Sequence, residues 1–309
     1  MRVVFMGTPN FSVPILNELN KHYQVVLVVT QPDKKVGRKQ TIQMSPVKEY
    51  ALNNGLTVFQ PTSIKTDYLE VIKLKPDIIV TASYGQMLPK ELFAIPKLIN
   101  VHGSLLPKRR GGAPVQRAIM EGDLKTGITI LNMTLKMDAG KMIAKREIPI
   151  LETDTTTTLM EKLSYLGAEL LIEVLPKIFS NEIEEVEQDE NEVTFSYNLT
   201  KEDEILNFNK PTKLVLKQLN GLLDEPGGSI FLDETRIKIY KMKKSDIISL
   251  SPPNTIISVD KTILIKTIDG VLEIEELQEA GKKRMYTKDY LNGQKKFVKG
   301  GIINETIIF

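Results

Sequence analysis

The strongest constraint on the fold is an alternation, in the first part of the chain, between continuous apolar runs and segments with helical spacing. Runs typical of strands buried on both faces of a parallel sheet are RVVFM (2–6), YQVVLVVT (23–30), DIIVTAS (77–83) and LINVHG (98–103). Helix-like segments separate them, and we expect the first helix to have Thr8 as its N-cap and Pro9 as its first residue. This order predicts a doubly wound, Rossmann-like α/β domain.

The remaining patterns complete this domain and add a second one. GITILNMT and KMIAKREIPI lie on either side of LKMDAGK (135–141) and predict an antiparallel hairpin at the edge of the sheet. After residue 207, short β-branched runs with turn signals predict a smaller C-terminal β-barrel of the OB-like kind. We therefore predict a first domain over 1–185, an acidic linker over 186–207 and a β-rich domain over 208–309.

Composition excludes several classes of chemistry. The 309 residues contain no cysteine, which excludes disulfides, thiolate nucleophiles and cysteine-ligated metals. Only two histidines are present, so we expect a reaction without a metal ion. No apolar run is long enough to span a bilayer, and the N-terminus lacks the pattern of a signal peptide, so we expect a cytoplasmic protein.

Charge and glycine patterns give weaker signals. Residues 181–207 carry ten acidic side chains and one basic side chain, which is typical of a solvated linker. The turn GTPNFS after the first strand lacks G-x-G-x-x-G, and no P-loop is present. We interpret that turn as the start of a helix rather than as a nucleotide site.

Asn100 and His102 are the first candidate site residues. Side chains two apart in a strand point to the same face, and this strand ends at the sheet edge where α/β proteins bind ligands. A single histidine there is more often structural. Ser104 with His102 as a hydrolase pair is a weaker interpretation still, because the G-x-S-x-G elbow is absent.

The wider pattern decides between these interpretations. NVHGSLLPKRRGGAP (100–114), followed by MDAG (137–140), resembles the catalytic core of the folate-dependent formyltransferases. The resemblance implies 10-formyltetrahydrofolate as co-substrate, an amine as acceptor, and no metal. It implies an active site formed by Asn100, His102 and Asp138, and a folate pocket lined by Ser104, Leu105, Leu106 and Pro107.

Residue chemistry agrees with those roles. An asparagine amide can donate to the oxyanion that forms on the formyl group, and a protonated histidine donates a stronger bond. An aspartate can hold the imidazolium and accept the proton of the attacking amine. We therefore expect Asn100 and His102 to stabilise the oxyanion and Asp138 to move the proton.

Further stretches point to the acceptor. GTPNFSVPIL, VTASYGQMLP, GGAPVQRAI and LQEAGKKRMYTKDYLNG resemble the family members that formylate the α-amino group of methionine on initiator tRNA, for translation initiation. The resemblance places the basic segment DKKVGRKQTIQM (33–44) against the acceptor end of that tRNA. Its candidate tRNA-binding residues are Lys34, Lys35, Arg38 and Lys39.

Other acceptors stay open at this point. The main alternative is a family member that formylates a sugar-nucleotide amine with the same core. A glycinamide ribonucleotide formyltransferase fits less well because that branch lacks a comparable C-terminal domain. A non-catalytic tRNA-binding module and a folate-dependent hydrolase fit least. We expect the C-terminal domain to bind tRNA, and the protein to act as a monomer away from membranes.

Overall fold

A computed structural model describes residues 1–36, 40–180, 182–293 and 296–304. Within these ranges the chain divides into two compact units. The first contains Met1–Pro114, Lys125–Pro149 and Leu159–Tyr197, and the second contains Val115–Leu124, Ile150–Thr158 and Asn198–Phe309. Residues 186–197 of the acidic segment thus fall in the first unit and residues 198–207 in the second. The domain bounds stay a prediction.

The first unit is built on a seven-stranded sheet within the described residues. Its strands are β1 (Arg2–Gly7), β2 (Gln24–Val29), β5 (Val58–Phe59), β6 (Ile78–Ala82), β7 (Leu98–His102), β8 (Lys125–Asn132) and β9 (Met142–Pro149), and a separate hairpin pairs β3 (Lys34–Val36) with β4 (Thr41–Gln43). The spatial order is β5-β2-β1-β6-β7-β8-β9. The first five strands in this order are parallel, and β8 and β9 are antiparallel. The α/β prediction and the edge hairpin are both confirmed.

Helices lie between and after these strands along the chain. They are α1 (Ser12–His22), α2 (Pro46–Asn53), α3 (Ile64–Asp67), α4 (Leu69–Ile72), α5 (Pro114–Glu121) and α6 (Thr156–Phe179), with a 3-10 turn over Lys90–Ala94. Helix α2 begins at a proline and is capped by Ser45, whose hydroxyl accepts from the Lys48 N–H at 3.1 Å. Buried residues of β1, β2 and β6 form the core, because strands in the middle of the sheet are covered on both faces.

The predicted start of α1 is wrong. The helix begins at Ser12, and neither Thr8 nor Pro9 is part of it. The Thr8 hydroxyl instead donates to the carbonyl oxygen of Tyr84, at 2.9 Å, so a contact between two strand ends takes the place of the cap. Residues 8–11 form a turn that delays the helix.

The second unit contains an antiparallel half-barrel, in agreement with the predicted β-rich class. Its strands are β10 (Gly228–Leu232), β11 (Thr235–Ser245), β12 (Ile256–Ser258), β13 (Ile263–Lys266), β14 (Val271–Glu279) and β15 (Met285–Tyr286). The order is β10-β11-β14-β13-β12, and β15 also pairs with β14. Helix α7 (Thr212–Leu222), which the sequence analysis does not predict, buries Val215, Leu219 and Leu222 against this sheet, and α8 (Thr287–Gly293) follows β15.

A buried carboxylate stabilises the end of this second sheet. Glu279 is 6% exposed, and Lys296 and Tyr290 donate to it at 2.9 and 3.0 Å. Burial raises the pKa of Glu279, but the hydrogen bonds from Lys296, Lys282 and Tyr290 outweigh it and hold the pKa below its ordinary value.

Among the described residues, no helix combines the length and apolar character that crossing a bilayer requires.

Candidate active site

Strand β7 brings the first two candidate residues to one edge of the sheet. It lies between the parallel strand β6 and the antiparallel strand β8, with Asn100 opposite Thr81 and His102 opposite Thr129. His102 is only 6% exposed, whereas Asn100 is half-buried. The two side chains are two residues apart and therefore share a face, as the strand period predicts.

Both ring nitrogens of His102 face oxygen atoms. Nε2 lies 3.1 Å from the carbonyl oxygen of Arg109, and a carbonyl only accepts, so Nε2 carries a proton in this arrangement. Nδ1 lies 3.7 Å from Oδ1 of Asp138, within ion-pair range but beyond hydrogen-bond length. The structure therefore brings His102 and Asp138 together.

Asp138 is held in place by a backbone donor. It lies in the loop between β8 and β9 with a φ of 51°, in the left-handed region that aspartate tolerates better than most residues. Its Oδ2 accepts from the N–H of Gly111 at 2.8 Å. Gly111 has a φ of 121°, and a Cβ there would lie 2.6 Å from the Ser196 carbonyl oxygen. Glycine is thus required at the residue that anchors the carboxylate.

Asn100 is anchored through its own oxygen. The buried Thr81 hydroxyl donates to Oδ1 of Asn100 at 2.9 Å. In the described chain Nδ2 makes no hydrogen bond. The amide therefore presents its two N–H groups as the donors available to a bound molecule.

The segment Ser104–Pro107 is firmly fixed. The Thr129 hydroxyl donates to the Ser104 carbonyl oxygen at 2.7 Å and accepts from the Leu106 N–H at 3.1 Å. The Leu106 side chain is buried with Leu131 and Met142, whereas Leu105 is half-buried. The Ser104 hydroxyl donates to the Lys108 carbonyl oxygen at 2.8 Å. Because the hydroxyl proton of Ser104 is directed at this carbonyl and not at His102, Ser104 is not placed as a nucleophile that His102 activates.

Arg110 and Gln188, which the sequence does not single out, support the site. Arg110, which the sequence places in an exposed-looking basic run, is fully buried. Its Nε donates to Oε1 of Gln188 at 3.0 Å, and its Nη2 donates to Glu190 at 2.8 Å. Hydrogen bonds from Arg110 and then Lys136 lower the pKa of the exposed Glu190 carboxyl. No sequence signal distinguishes a buried arginine within a basic run from an exposed one.

The candidate tRNA-binding residues are only partly described. Lys34 and Lys35 are exposed on β3, while Arg38 and Lys39 lie outside the described residues. In the second unit, Lys241 and Lys243 of β11 pair with Glu275 of β14 at 3.1 and 2.8 Å. These two lysines are therefore partly neutralised by their own sheet.

No group of three or more His, Cys, Asp or Glu in the described ranges is placed to hold a metal ion.

Comparison with known proteins covers nearly the whole chain. The model of the Formyl transferase family matches residues 1–175, and that of the Formyl transferase C-terminal domain matches residues 198–295. The Methionyl-tRNA formyltransferase of Latilactobacillus sakei is 47% identical over 298 residues, which is 94% of this chain and 94% of that protein. The protein of the same name from Staphylococcus aureus strain MW2 is 45% identical over 94% of this chain and 96% of its own length.

Solved structures share the fold at much lower identity. The N-formyltransferase from Helicobacter canadensis, in complex with folinic acid and dTDP-3-aminofucose, has a TM-score of 0.68 at 21% identity, covering 90% of this chain and 98% of that one. HypX from Aquifex aeolicus in complex with tetrahydrofolic acid has a TM-score of 0.66 at 19% identity. The match covers 94% of this chain and 47% of HypX, so the chain spans about half of HypX.

Proposed function

The chain belongs to the formyl transferase family, and on that basis we propose that it transfers the formyl group of 10-formyltetrahydrofolate to the α-amino group of initiator methionyl-tRNA, for translation initiation. The proposal rests on the combination of a near full-length match and the geometry of three side chains. The chain matches relatives named Methionyl-tRNA formyltransferase over 94% of its length while His102 and Asp138 face each other at 3.7 Å beside Asn100.

The reaction requires charge stabilisation and proton movement. The neutral amine attacks the formyl carbon, the formyl oxygen gains negative charge, and the bond from carbon to N10 of the folate breaks. Asn100 is suited to the oxyanion because its amide N–H groups are unused while Thr81 holds its oxygen. His102 donates no hydrogen bond to the oxyanion in this arrangement, because its ring nitrogens face the Arg109 carbonyl and Asp138, but its positive charge when protonated favours the negative charge that forms nearby.

Asp138 is suited to receive the amine proton. Its Oδ2 is fixed by Gly111, whereas Oδ1 is 3.7 Å from His102 and makes no hydrogen bond within the described residues. That oxygen keeps the capacity to accept a proton from the acceptor amine and to return it to N10 as the folate departs. Asn100, His102 and Asp138 thus serve both the formyl group and the acceptor amine, and the formyl group passes directly between the two substrates without a covalent enzyme intermediate.

We propose the segment Ser104–Pro107 as part of the folate pocket. Its backbone is held by Thr129, which gives a flat ligand a rigid wall with few polar groups. Two solved structures of the same fold contain tetrahydrofolic acid or folinic acid, which supports a folate co-substrate. A crystal structure with bound folate tests this directly, and a cofactor lying away from 104–107 would contradict it.

The methionine is attached to the end of a tRNA, so the phosphate backbone must lie near the site. We propose that Lys34, Lys35, Arg38 and Lys39 contact it, because clustered basic side chains bind phosphates. We propose the β-rich domain over 208–309, joined by 186–207, as a second tRNA-binding body. Charged tRNA is in the cytoplasm, where we place this protein as a monomer.

The second candidate is a sugar-nucleotide amine as acceptor. It is favoured by the fold match to an N-formyltransferase solved with dTDP-3-aminofucose. That match rests on 21% identity, whereas the identity to the tRNA-acting relatives is more than twice as high. The tRNA acceptor is therefore the better supported of the two.

One assay separates these acceptors. The purified protein is incubated with 10-formyltetrahydrofolate and one of three acceptors: charged initiator methionyl-tRNA, charged elongator methionyl-tRNA, or a dTDP-amino sugar. We expect rapid formylation of the initiator tRNA, slow formylation of the elongator and none of the sugar. Formylation of the sugar without formylation of tRNA would overturn the proposal.

A further inference from the structure

We propose that Gln188 is a positioning residue for formyl transfer, and this inference rests on the proposed function. Gln188 lies in the acidic segment and yet is only 8% exposed. Its Nε2 donates to the carbonyl oxygens of Asp138 and Gly140, both at 2.8 Å. Its Oε1 accepts from Nε of Arg110 at 3.0 Å. Both amide hydrogens and the amide oxygen are therefore used.

The first two bonds hold the loop that carries the reactive carboxylate. They lie at Asp138 itself and two residues later, so they fix a backbone that has a left-handed φ of 51° at Asp138. Gly140 is confined on its other side, since a Cβ there would lie 1.7 Å from the Asn132 carbonyl oxygen. Without Gln188 the carbonyls of Asp138 and Gly140 lose this donor, and the loop is free to relax.

The third bond, from Arg110, connects Gln188 to the segment 109–111, which contacts both His102 and Asp138. Arg110 lies between Arg109, whose carbonyl oxygen meets His102, and Gly111, whose N–H binds Asp138. Gln188 thus links the Arg110 side chain to the backbone of the 138–140 loop. We infer that it sets the 3.7 Å separation between His102 and Asp138.

Glutamine is the residue type that this task requires. Glutamate would offer oxygen to Arg110 but turn a second acceptor toward two carbonyl oxygens. Methionine has a similar volume and forms none of the three bonds. These two substitutions therefore separate the contact with Arg110 from the contact with the loop.

The chain supplies a matched control in the second unit. Gln218 is 7% exposed and also uses its whole amide. Its Nε2 donates to the carbonyl oxygens of Asp203 at 3.1 Å and Ile205 at 2.7 Å, and its Oε1 accepts from the Asn207 N–H at 3.1 Å. Gln218→Met removes the same number of buried hydrogen bonds from a different part of the chain.

The experiment compares Gln188→Met, Gln188→Glu and Gln218→Met in the full-length protein by thermal unfolding and by steady-state formylation of initiator methionyl-tRNA. We expect similar losses of thermal stability in the two methionine variants. Only Gln188→Met should lower kcat, by about 10- to 100-fold, the effect expected of a reactive group displaced by a fraction of an ångström to 1 Å. KM for both substrates should stay within about threefold, because the change is in positioning rather than binding.

A double-substitution cycle shows whether Gln188 acts through Asp138. In an Asp138→Asn background, Gln188→Met should lower kcat by no more than about twofold, since the group that it positions has already lost its charge. The same large factor in both backgrounds would overturn the proposal, as would full activity of Gln188→Glu or equal kcat losses in the two methionine variants. A wild-type protein that leaves methionyl-tRNA unformylated would instead overturn the proposed function.

Discussion

Asp138→Asn is the most informative single substitution in the site. Asparagine keeps the size of the side chain, tolerates the left-handed φ of 51° and can still accept from the Gly111 N–H. What it removes is one negative charge, 3.7 Å from Nδ1 of His102, on a side chain that is 14% exposed. The substitution therefore tests charge and proton acceptance with little change in structure.

The magnitude follows from that distance. Two unit charges about 4 Å apart interact by roughly 4 kcal/mol at the effective dielectric constant of partly buried sites. Only part of this is specific to the transition state, so we expect kcat to fall by about 10²-fold, which is roughly 3 kcal/mol.

The assay is single-turnover formylation of charged initiator tRNA at saturating 10-formyltetrahydrofolate, with urea unfolding as a control for stability. We expect stability to change by less than about 1 kcal/mol, because the side chain keeps its shape and its backbone hydrogen bond. A variant that retains more than about a tenth of the wild-type rate would refute the assignment of Asp138 to proton transfer.

Three further predictions concern other parts of the molecule. Arg38→Ala should weaken productive use of initiator tRNA by about 1–3 kcal/mol, and Arg38→Lys should restore only part of it, because lysine keeps the charge but loses the planar guanidinium. The measurement is kcat/KM at several salt concentrations, and wild-type values for Arg38→Ala would exclude a role of this residue in tRNA binding. Gly111→Ala should destabilise the protein by about 1–3 kcal/mol and lower kcat, because the new Cβ would lie 2.6 Å from a carbonyl oxygen at a φ of 121°; unchanged urea unfolding would contradict the described backbone. Because the pKa of Glu279 is lowered in the folded state, its stabilising effect is complete above the ordinary glutamate pKa and is lost as pH falls through the lowered value. Glu279→Gln should therefore make stability less dependent on pH between about 5 and 3 in urea unfolding, and an unaltered pH profile would argue against the ion pair with Lys296.

Much of the fold is predictable because its signals are local. Continuous apolar runs predict β1, β2, β6 and β7, since a strand covered on both faces has no polar side. The start of α1 is not predictable in this way, because the Thr8 hydroxyl meets a carbonyl of another strand end. Helix α7 is missed because its apolar residues lie within a stretch of short runs that favours strands.

The site likewise contains residues that a local sequence pattern predicts and residues that it does not. The two-residue period of a strand is enough to predict that Asn100 and His102 share a face. Asp138 is remote in sequence and comes only from the family resemblance, although the structure places it beside His102. Arg110 and Gln188 give no local signal, because their burial depends on the path of the acidic segment over the first unit.

We propose that Asn100, His102 and Asp138 together move a formyl group onto methionine while it is attached to tRNA. The most direct measurement uses formyl-labelled 10-formyltetrahydrofolate and charged initiator tRNA, followed by mild base release and identification of the labelled amino acid by mass spectrometry. We expect N-formylmethionine with the wild-type protein, and at least about a 10²-fold slower appearance with His102→Ala although that variant still binds tetrahydrofolate. Label that never reaches methionine would rule out this acceptor, and an equally fast His102→Ala variant would rule out the role proposed for His102.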